Sequence, residues 1–229
     1  MKLSIIIPVY NEVGTLLNLL KKVKSVDLGD IEKEILLIDD FSTDGTRELI
    51  RTIKDKEIKT IFNKKNLGKG GAVKAGIKNA SGDIIIIQDA DLEYNPEEYP
   101  QLIAPIIRGK FSVVYGSRSL NKKNNYSHLS FFIGGKTVTL LTNLLFFSRL
   151  TDEPTCYKVF KSDLIKSIKI NSNRFNWEPE VTAKILKKGI KIHEIPITYN
   201  PRKKAQGKKI NWKDGISALF TLVKYRISD

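Results

Sequence analysis

Ile84-Ile85-Ile86-Ile87-Gln88-Asp89-Ala90-Asp91-Leu92-Glu93 is the stretch on which the reading of the chain turns. Four consecutive β-branched apolar residues describe a short strand buried on both faces. The strand runs directly into three carboxylates at alternate positions. In extended backbone alternate side chains project to one side, so Asp89, Asp91 and Glu93 converge. Two carboxylates about 4 Å apart repel by roughly 1 kcal/mol in water and about 4 kcal/mol at an effective dielectric near 20. A strand end that keeps such a cluster calls for a cation between the acids. The alternative is a solvated loop that caps a helix starting near Pro96.

Outward from this stretch, strands and helices alternate. Lys2–Val9, Ile35–Ile38 and Ile58–Phe62 read as strands on one side of it, and Phe111–Tyr115 as a fifth strand on the other. Helical segments separate them: one to about Val26, one from Arg47 to Lys54, one opened by Gly68, and one from Pro96 to Ile107. This alternation predicts an α/β fold with a mostly parallel sheet and helices on both faces. Ligands of such sheets lie beyond the carboxyl ends of the strands. Asp39-Asp40 and Asp89/Asp91 both fall at such ends, so a shared crevice is expected.

With 229 residues the chain can bury a substantial core without staples. Its one cysteine, Cys156, cannot form an internal disulfide, which fits a reducing compartment. Met1-Lys2-Leu3-Ser4 leads straight into a strand, so no signal peptide is expected. The formal net charge of +14 points to a polyanionic partner: nucleic acid, an anionic membrane or a phosphorylated substrate. The basic residues are dispersed and no RNP-like aromatic motif is present, so nucleic acid is the weakest of these. Gly68-Lys69-Gly70-Gly71-Ala72-Val73 lacks the last glycine of a dinucleotide fingerprint, and no P-loop occurs. Those glycines either bring the backbone close to a ligand or form a tight strand-to-helix turn. His128 and His193 have no cysteine or histidine cluster around them, which argues against zinc.

After Tyr115 the alternation breaks. A polar loop from Asn121 to Ser127 either folds over the crevice or stays disordered. Gly134–Phe147 reads as an apolar helix; the surrounding window, Phe131–Leu150, is a poor membrane span because of Lys136, Asn143 and Arg149. A strand at Tyr157–Phe160, a helix from Trp177 and a last strand at Ile190–Ile197 follow. Pro196 places that last strand at an edge. Asn211 opens a helix whose stripe of Trp212, Ile216, Leu219, Phe220 and Val223 faces either a core or a membrane.

Five motifs occur in order: Pro8-x-Tyr10-Asn11-Glu12, Ile38-Asp39-Asp40-x-Ser42-Thr43-Asp44-Gly45-Thr46, Asp89-Ala90-Asp91, Gly116-Ser117-Arg118, and Glu194-x-Pro196-Ile197-x-Tyr199-x-Pro201-Arg202. Together they resemble the family-2 inverting glycosyltransferases, of the dolichol-phosphate mannose synthase and polyprenyl-phosphate type. The resemblance implies a GT-A fold over residues 1–229. Residues 1–118 would form a nucleotide-sugar half. Residues 119–229 would form an acceptor half with an edge hairpin and a C-terminal amphipathic helix.

By the same resemblance Pro8, Tyr10, Glu12, Asp39, Asp40, Lys69 and Asp89 bind the nucleotide sugar, of GDP-mannose or UDP-glucose type. Asp89, Asp91 and Glu93 hold Mg²⁺ or Mn²⁺, although the family commonly has Gln where Glu93 stands. Asp91, Arg118 and Asp152 carry the catalysis. Arg118, Lys158, Arg202 and Lys208 grip phosphates of donor or acceptor. The acceptor expected is a polyprenyl phosphate at the cytoplasmic face of a membrane, where the protein is peripheral and can require a separate membrane partner protein. Members of this type often carry membrane-spanning helices after the catalytic domain, and none is read here. Transfer to a sugar hydroxyl, with Asp152 as general base, is the alternative within the family.

Overall fold

The structure is a computed structural model and describes residues 1–125, 129–202 and 212–228. Five strands alternate with four helices through the first half: β1 (Lys2–Val9), α1 (Leu16–Ser25), β2 (Glu32–Asp39), α2 (Thr46–Thr52), β3 (Ile58–Phe62), α3 (Lys69–Asn79), β4 (Ile84–Ile87), α4 (Tyr99–Ile107) and β5 (Val113–Ser117). A 3₁₀ turn, Pro96–Glu98, leads into α4. The second half comprises α5 (Leu129–Phe146), β6 (Lys158–Lys161), α6 (Ser162–Ser167), α7 (Trp177–Lys187), β7 (Ile192–Pro196) and α8 (Trp212–Ile227).

All seven strands join one sheet in the order β3-β2-β1-β4-β6-β5-β7. The isoleucine strand β4 lies at its centre. Ile84 to Ile87 pair in parallel with Leu3 to Ile6, and Ile84 to Ile86 pair antiparallel with Val159 to Lys161. All four isoleucines are at most 1 % exposed. Burying them contributes on the order of 10 kcal/mol of transfer free energy. Helix α3 approaches the sheet closely because Gly76 has no Cβ, which would collide with Ile6 Cγ2.

Among the described strands only β6 runs against its neighbours, inserted between β4 and β5. The fifth strand starts at Val113, two residues later than its apolar run suggests, because Phe111 instead stacks on His193 with ring centroids 4.4 Å apart. Edge position holds for β7, but it is a single strand parallel to β5 and not half of a hairpin. That pairing ties residues 192–196 into the sheet built by residues 1–118.

Helix α5 begins five residues before Gly134. Its 18 residues are apolar enough, by length and composition, to cross a membrane, and 17 % of them are buried. The window that starts at Leu129 keeps Lys136 and Asn143 but leaves out Arg149, which lowers the hydropathy of the later one. The helix packs with α7 and α8 around Val138, Ala183, Leu222 and Tyr225, a small core separate from that of the sheet. Among the described residues nine of the sixteen exposed large apolar side chains lie on α5 and α8, including Leu140, Leu144, Trp212 and Phe220. The stripe on α8 is therefore split, with Leu219 packed inward and Phe220 outward.

Candidate active site

A cleft of about 910 Å³ opens beyond the carboxyl ends of β1, β2 and β4. Pro8, Tyr10 and Glu12 come from the end of β1, Asp40 from the end of β2, and Lys69 from the start of α3. Asp89, Asp91 and Glu93 follow β4, and Arg118 and Asp152 complete the far side. The opposite wall is apolar, with Phe131 and Gly135 from α5 and Trp212, Ile216 and Leu219 from α8.

Backbone strain gathers at this rim. Asn11, Phe41 and Leu92 have positive φ, at +51°, +67° and +62°, and they follow the ends of β1, β2 and β4 in turn. Such conformations cost on the order of 1–3 kcal/mol and persist where surrounding contacts enforce them. The end of β4, ahead of Leu92, is held by side-chain hydrogen bonds. Gln88 accepts hydrogen bonds from the Tyr99 and Tyr157 hydroxyls, both at 2.7 Å, and donates to the Asp89 carbonyl at 2.9 Å. The helix is capped by Asn95, whose side chain accepts from Glu97 N–H. Capping therefore does not account for the acids.

Asp89 lies against the Lys69 amine, 2.9 Å away, and the same amine reaches Glu178 at 2.8 Å. Burial works against the lysine's charge, but Asp89 and Glu178 hold its amine well above the usual range. Asp91 pairs with Arg202 at 3.0 Å. Burial, with Asp89 and Glu93, pushes its carboxyl up to about 7, against the pull of Arg202. Arg202 also reaches both oxygens of Glu12, at 3.1 Å each.

Glu93 stands differently from its expected role. Its carboxylate accepts from the Arg202 amide at 2.6 Å and the Tyr199 hydroxyl at 3.0 Å, and its carbonyl accepts from the Asn200 amide at 2.9 Å. It is a clamp on residues 199–202. Among the described residues no group of three or more His, Cys, Asp or Glu side chains is arranged to hold a metal. A metal here would rest on Asp89 and Asp91, with further ligands from outside the protein. The charge fits such an ion: nine acidic and five basic side chains line the described cleft.

Other expected residues divide. Asp40 lines the cleft but its carboxylate is taken by the amides of Leu67 and Gly68 and by Asn63, at 2.7–2.9 Å. Burial nevertheless raises it. Asp39 is fully buried behind the wall, paired with Arg47 at 2.9 Å, so the strand's alternation turns it away from the cleft. Lys158 is also fully buried: its amine donates to the Glu153 carbonyl at 2.6 Å and sits 3.8 Å from the centre of the Tyr115 ring. It does not reach the wall, and burial pushes its amine down. Lys208 lies outside the described residues.

Arg118, expected as an acceptor grip, and Asp152, expected as a general base, stand side by side. They grip each other. The amide and Nε of Arg118 donate to one Asp152 oxygen, at 2.8 and 2.7 Å, and Nη2 to the other at 2.7 Å. Three donors on two oxygens suit an anchor more than a base. The guanidinium carbon lies 5.2 Å from the centre of the Tyr199 ring. Gly70, in the first turn of α3, serves packing. A Cβ at Gly70 would stand 2.8 Å from the Ser172 carbonyl and from Trp177 Cβ. Asn121 and Asn124 fasten the loop after Arg118 to the Ile197 carbonyl, at 3.2 and 2.8 Å. Glu178 carries no signal in the sequence, whereas Tyr199 falls in the fifth motif without a role assigned to it.

The family model described as Glycosyl transferase family 2 matches residues 4–168. The chain belongs to glycosyltransferase family 2. A dolichol-phosphate mannosyltransferase of Pyrococcus furiosus is 30 % identical over 214 residues, covering 91 % of this chain and 59 % of that protein. An undecaprenyl-phosphate 4-deoxy-4-formamido-L-arabinose transferase of Salmonella paratyphi B is 32 % identical over 206 residues, covering 88 % and 60 %. The same transferase of Proteus mirabilis is 37 % identical over 129 residues, or 55 % of this chain and 39 % of its own. The chain thus spans about 39–60 % of the length of these curated relatives. Glucosyl-3-phosphoglycerate synthase of Mycobacterium tuberculosis, solved with Mn²⁺, UDP and phosphoglyceric acid, superposes with a TM-score of 0.75. At 16 % identity over 100 % of this chain and 79 % of that one, it shares the GT-A fold.

Proposed function

We propose that this family-2 domain transfers a hexose from a nucleoside-diphosphate sugar to a polyprenyl phosphate at the cytoplasmic face of a membrane. The observation that carries the reading is the make-up of the cleft, whose acid floor at the sheet is continuous with an apolar wall between α5 and α8. A sugar nucleotide fits the first and an isoprenoid chain the second. The names of the relatives support a polyprenyl-phosphate acceptor.

The chain's residues divide the work by charge. Pro8, Tyr10 and Glu12 border the nucleoside end. Asp89 and Asp91 supply hard oxygen ligands of the kind Mg²⁺ and Mn²⁺ prefer. Bound there, a divalent ion would offset the charge that builds on the departing diphosphate. The M. tuberculosis synthase, with Mn²⁺ and UDP together, supports this assignment. Arg202 and Lys69 flank the same spot and can each exchange a carboxylate partner for a phosphate oxygen. Arg118 faces the acceptor end. A phosphate monoester, with a second pKa near 6, is already ionised at neutral pH and needs no base. Engagement of Asp152 by Arg118 is compatible with that acceptor and works against a hydroxyl acceptor. The surplus of nine acids over five bases also disfavours nucleic acid in the cleft.

The test is a transfer assay with a panel of GDP- and UDP-sugars, a short-chain polyprenyl phosphate, and Mg²⁺ or Mn²⁺. Label should enter the lipid with the wild-type protein and not with Asp91→Asn. Transfer to free sugars or glycans, with none to the lipid phosphate, would overturn the reading.

A further inference from the structure

Glu194 belongs to the fifth sequence motif, yet it does not line the cleft and nothing above uses it. It stands in the middle of β7, opposite Tyr115 of β5. Its carboxylate accepts two successive main-chain amides, Thr151 N–H at 2.7 Å and Asp152 N–H at 3.0 Å, one on each oxygen. This fixes the orientation of the peptide that carries the Asp152 side chain. Asp152 then takes three donors from Arg118. Arg118 Nη2 also donates to the Pro154 carbonyl at 3.2 Å, in the turn just after the peptide that Glu194 holds.

We infer that Glu194 is a positioning residue that aims Arg118 at the acceptor's phosphate by way of the 151–152 peptide and Asp152. The inference rests on the polyprenyl-phosphate reading of the cleft. A carboxylate is required at this place because two adjacent N–H groups need two acceptors. A glutamine offers one acceptor oxygen and sets its own NH₂ against the second amide, which forces the peptide to tilt. Because Asp152 holds Arg118 by a fork, a tilt displaces the guanidinium as a unit. The nucleotide end hangs from β1, β2 and β4 and does not depend on this chain of contacts.

Glu194→Gln in the full chain should raise the KM for a short-chain polyprenyl phosphate about tenfold, the scale of one charge-assisted hydrogen bond. The Kd for the nucleotide should stay within about twofold. Placed in an Arg118→Lys background, Glu194→Gln should add less than about twofold, because both changes act on one contact. Glu194→Asp, which keeps two acceptor oxygens one methylene further back, should fall between wild type and Glu194→Gln; it serves alone if the glutamine variant does not fold. A merely structural role would lower the Tm and reduce kcat with both KM values unchanged. That result, or equal effects of Glu194→Gln with Arg118 and with Lys at 118, overturns the inference. A wild-type protein inert toward lipid phosphate would instead sink the acceptor reading, and this inference with it.

Discussion

Glu93→Gln separates the two roles available to the third acid of the loop. As a metal ligand, Glu93 would weaken Mn²⁺ binding when neutralised as much as Asp91 does. The structure assigns it to the 199–202 segment, through the Arg202 amide and the Tyr199 hydroxyl. Hydrogen bonds to a charged group are worth about 1.5–3 kcal/mol each, and neutral ones about 1 kcal/mol. A glutamine keeps one acceptor oxygen and loses the charge, so the latch weakens by about 2–4 kcal/mol. Hydrogen exchange of the Arg202 amide should therefore accelerate by roughly 30- to 1,000-fold, each factor of ten being about 1.4 kcal/mol. The global Tm should move much less, because the segment can open without unfolding the sheet. Mn²⁺ titration in the presence of nucleotide should change by no more than about threefold, against a loss of about a hundredfold for Asp91→Asn. Equal loss of Mn²⁺ affinity in both variants, with the Arg202 amide still protected, would refute the assignment.

Three further outcomes are expected. Burial works to raise the Glu34 carboxyl, but the Ser4 hydroxyl, the Ser81 amide and hydroxyl, and Lys2 hold it at about 2. A carboxyl depressed on folding stabilises above its unfolded pKa and loses that contribution as pH falls toward 2. Glu34→Gln should thus cost about 1–2 kcal/mol at pH 7, allowing for the group's partial exposure, with the gap to wild type closing below about pH 4 in urea titrations. Gly70→Ala should destabilise by about 1–3 kcal/mol, since its Cβ meets the Ser172 carbonyl and Trp177 Cβ at 2.8 Å; an unchanged denaturation midpoint would contradict the packing. Leu144→Glu with Phe220→Glu, both far exposed on α5 and α8, should reduce co-flotation with anionic vesicles by about tenfold or more while leaving the Tm unchanged. Undiminished flotation would exclude these helices as the membrane face.

How far the sequence discloses this molecule depends on the range of the interactions involved. The alternation of strands and helices, the acids beyond the isoleucine strand and the edge position of β7 all follow from local pattern, and each is found. The insertion of an antiparallel β6 between β4 and β5 is not local, since its register joins Ile85 to Phe160 across 75 residues of chain. Side-chain partners were the hardest to read. An arginine and an aspartate 34 positions apart carry no mark that they will pair with each other. Lys158 did carry a mark. Its neighbours Tyr157, Val159 and Phe160 are apolar on both sides, so a two-faced buried strand would take the lysine inside with it. Asp39 and Asp40 show the same logic: adjacent residues of a strand face opposite ways, so a pair of acids cannot both reach one crevice.

The charge of the chain resolves into two separate fields. Among the described residues nine of 24 acidic side chains line the cleft, but five of 35 basic ones do. Most of the positive charge therefore lies outside the site. At physiological ionic strength exposed charges act over about 8 Å, too short for the exterior lysines to stabilise a leaving group inside a cleft. They can act on an anionic surface in contact with the protein, at about 1 kcal/mol per basic residue. On the proposed reading the diphosphate would instead be neutralised within the cleft, by Arg202, Lys69 and a cation seated on Asp89 and Asp91. Pairing each of those basic groups with a carboxylate balances charge in a buried place, and on the proposed reading each pair would open for a phosphate. A strongly basic protein with an acid-floored site is thus consistent: the two signs serve different partners at different distances.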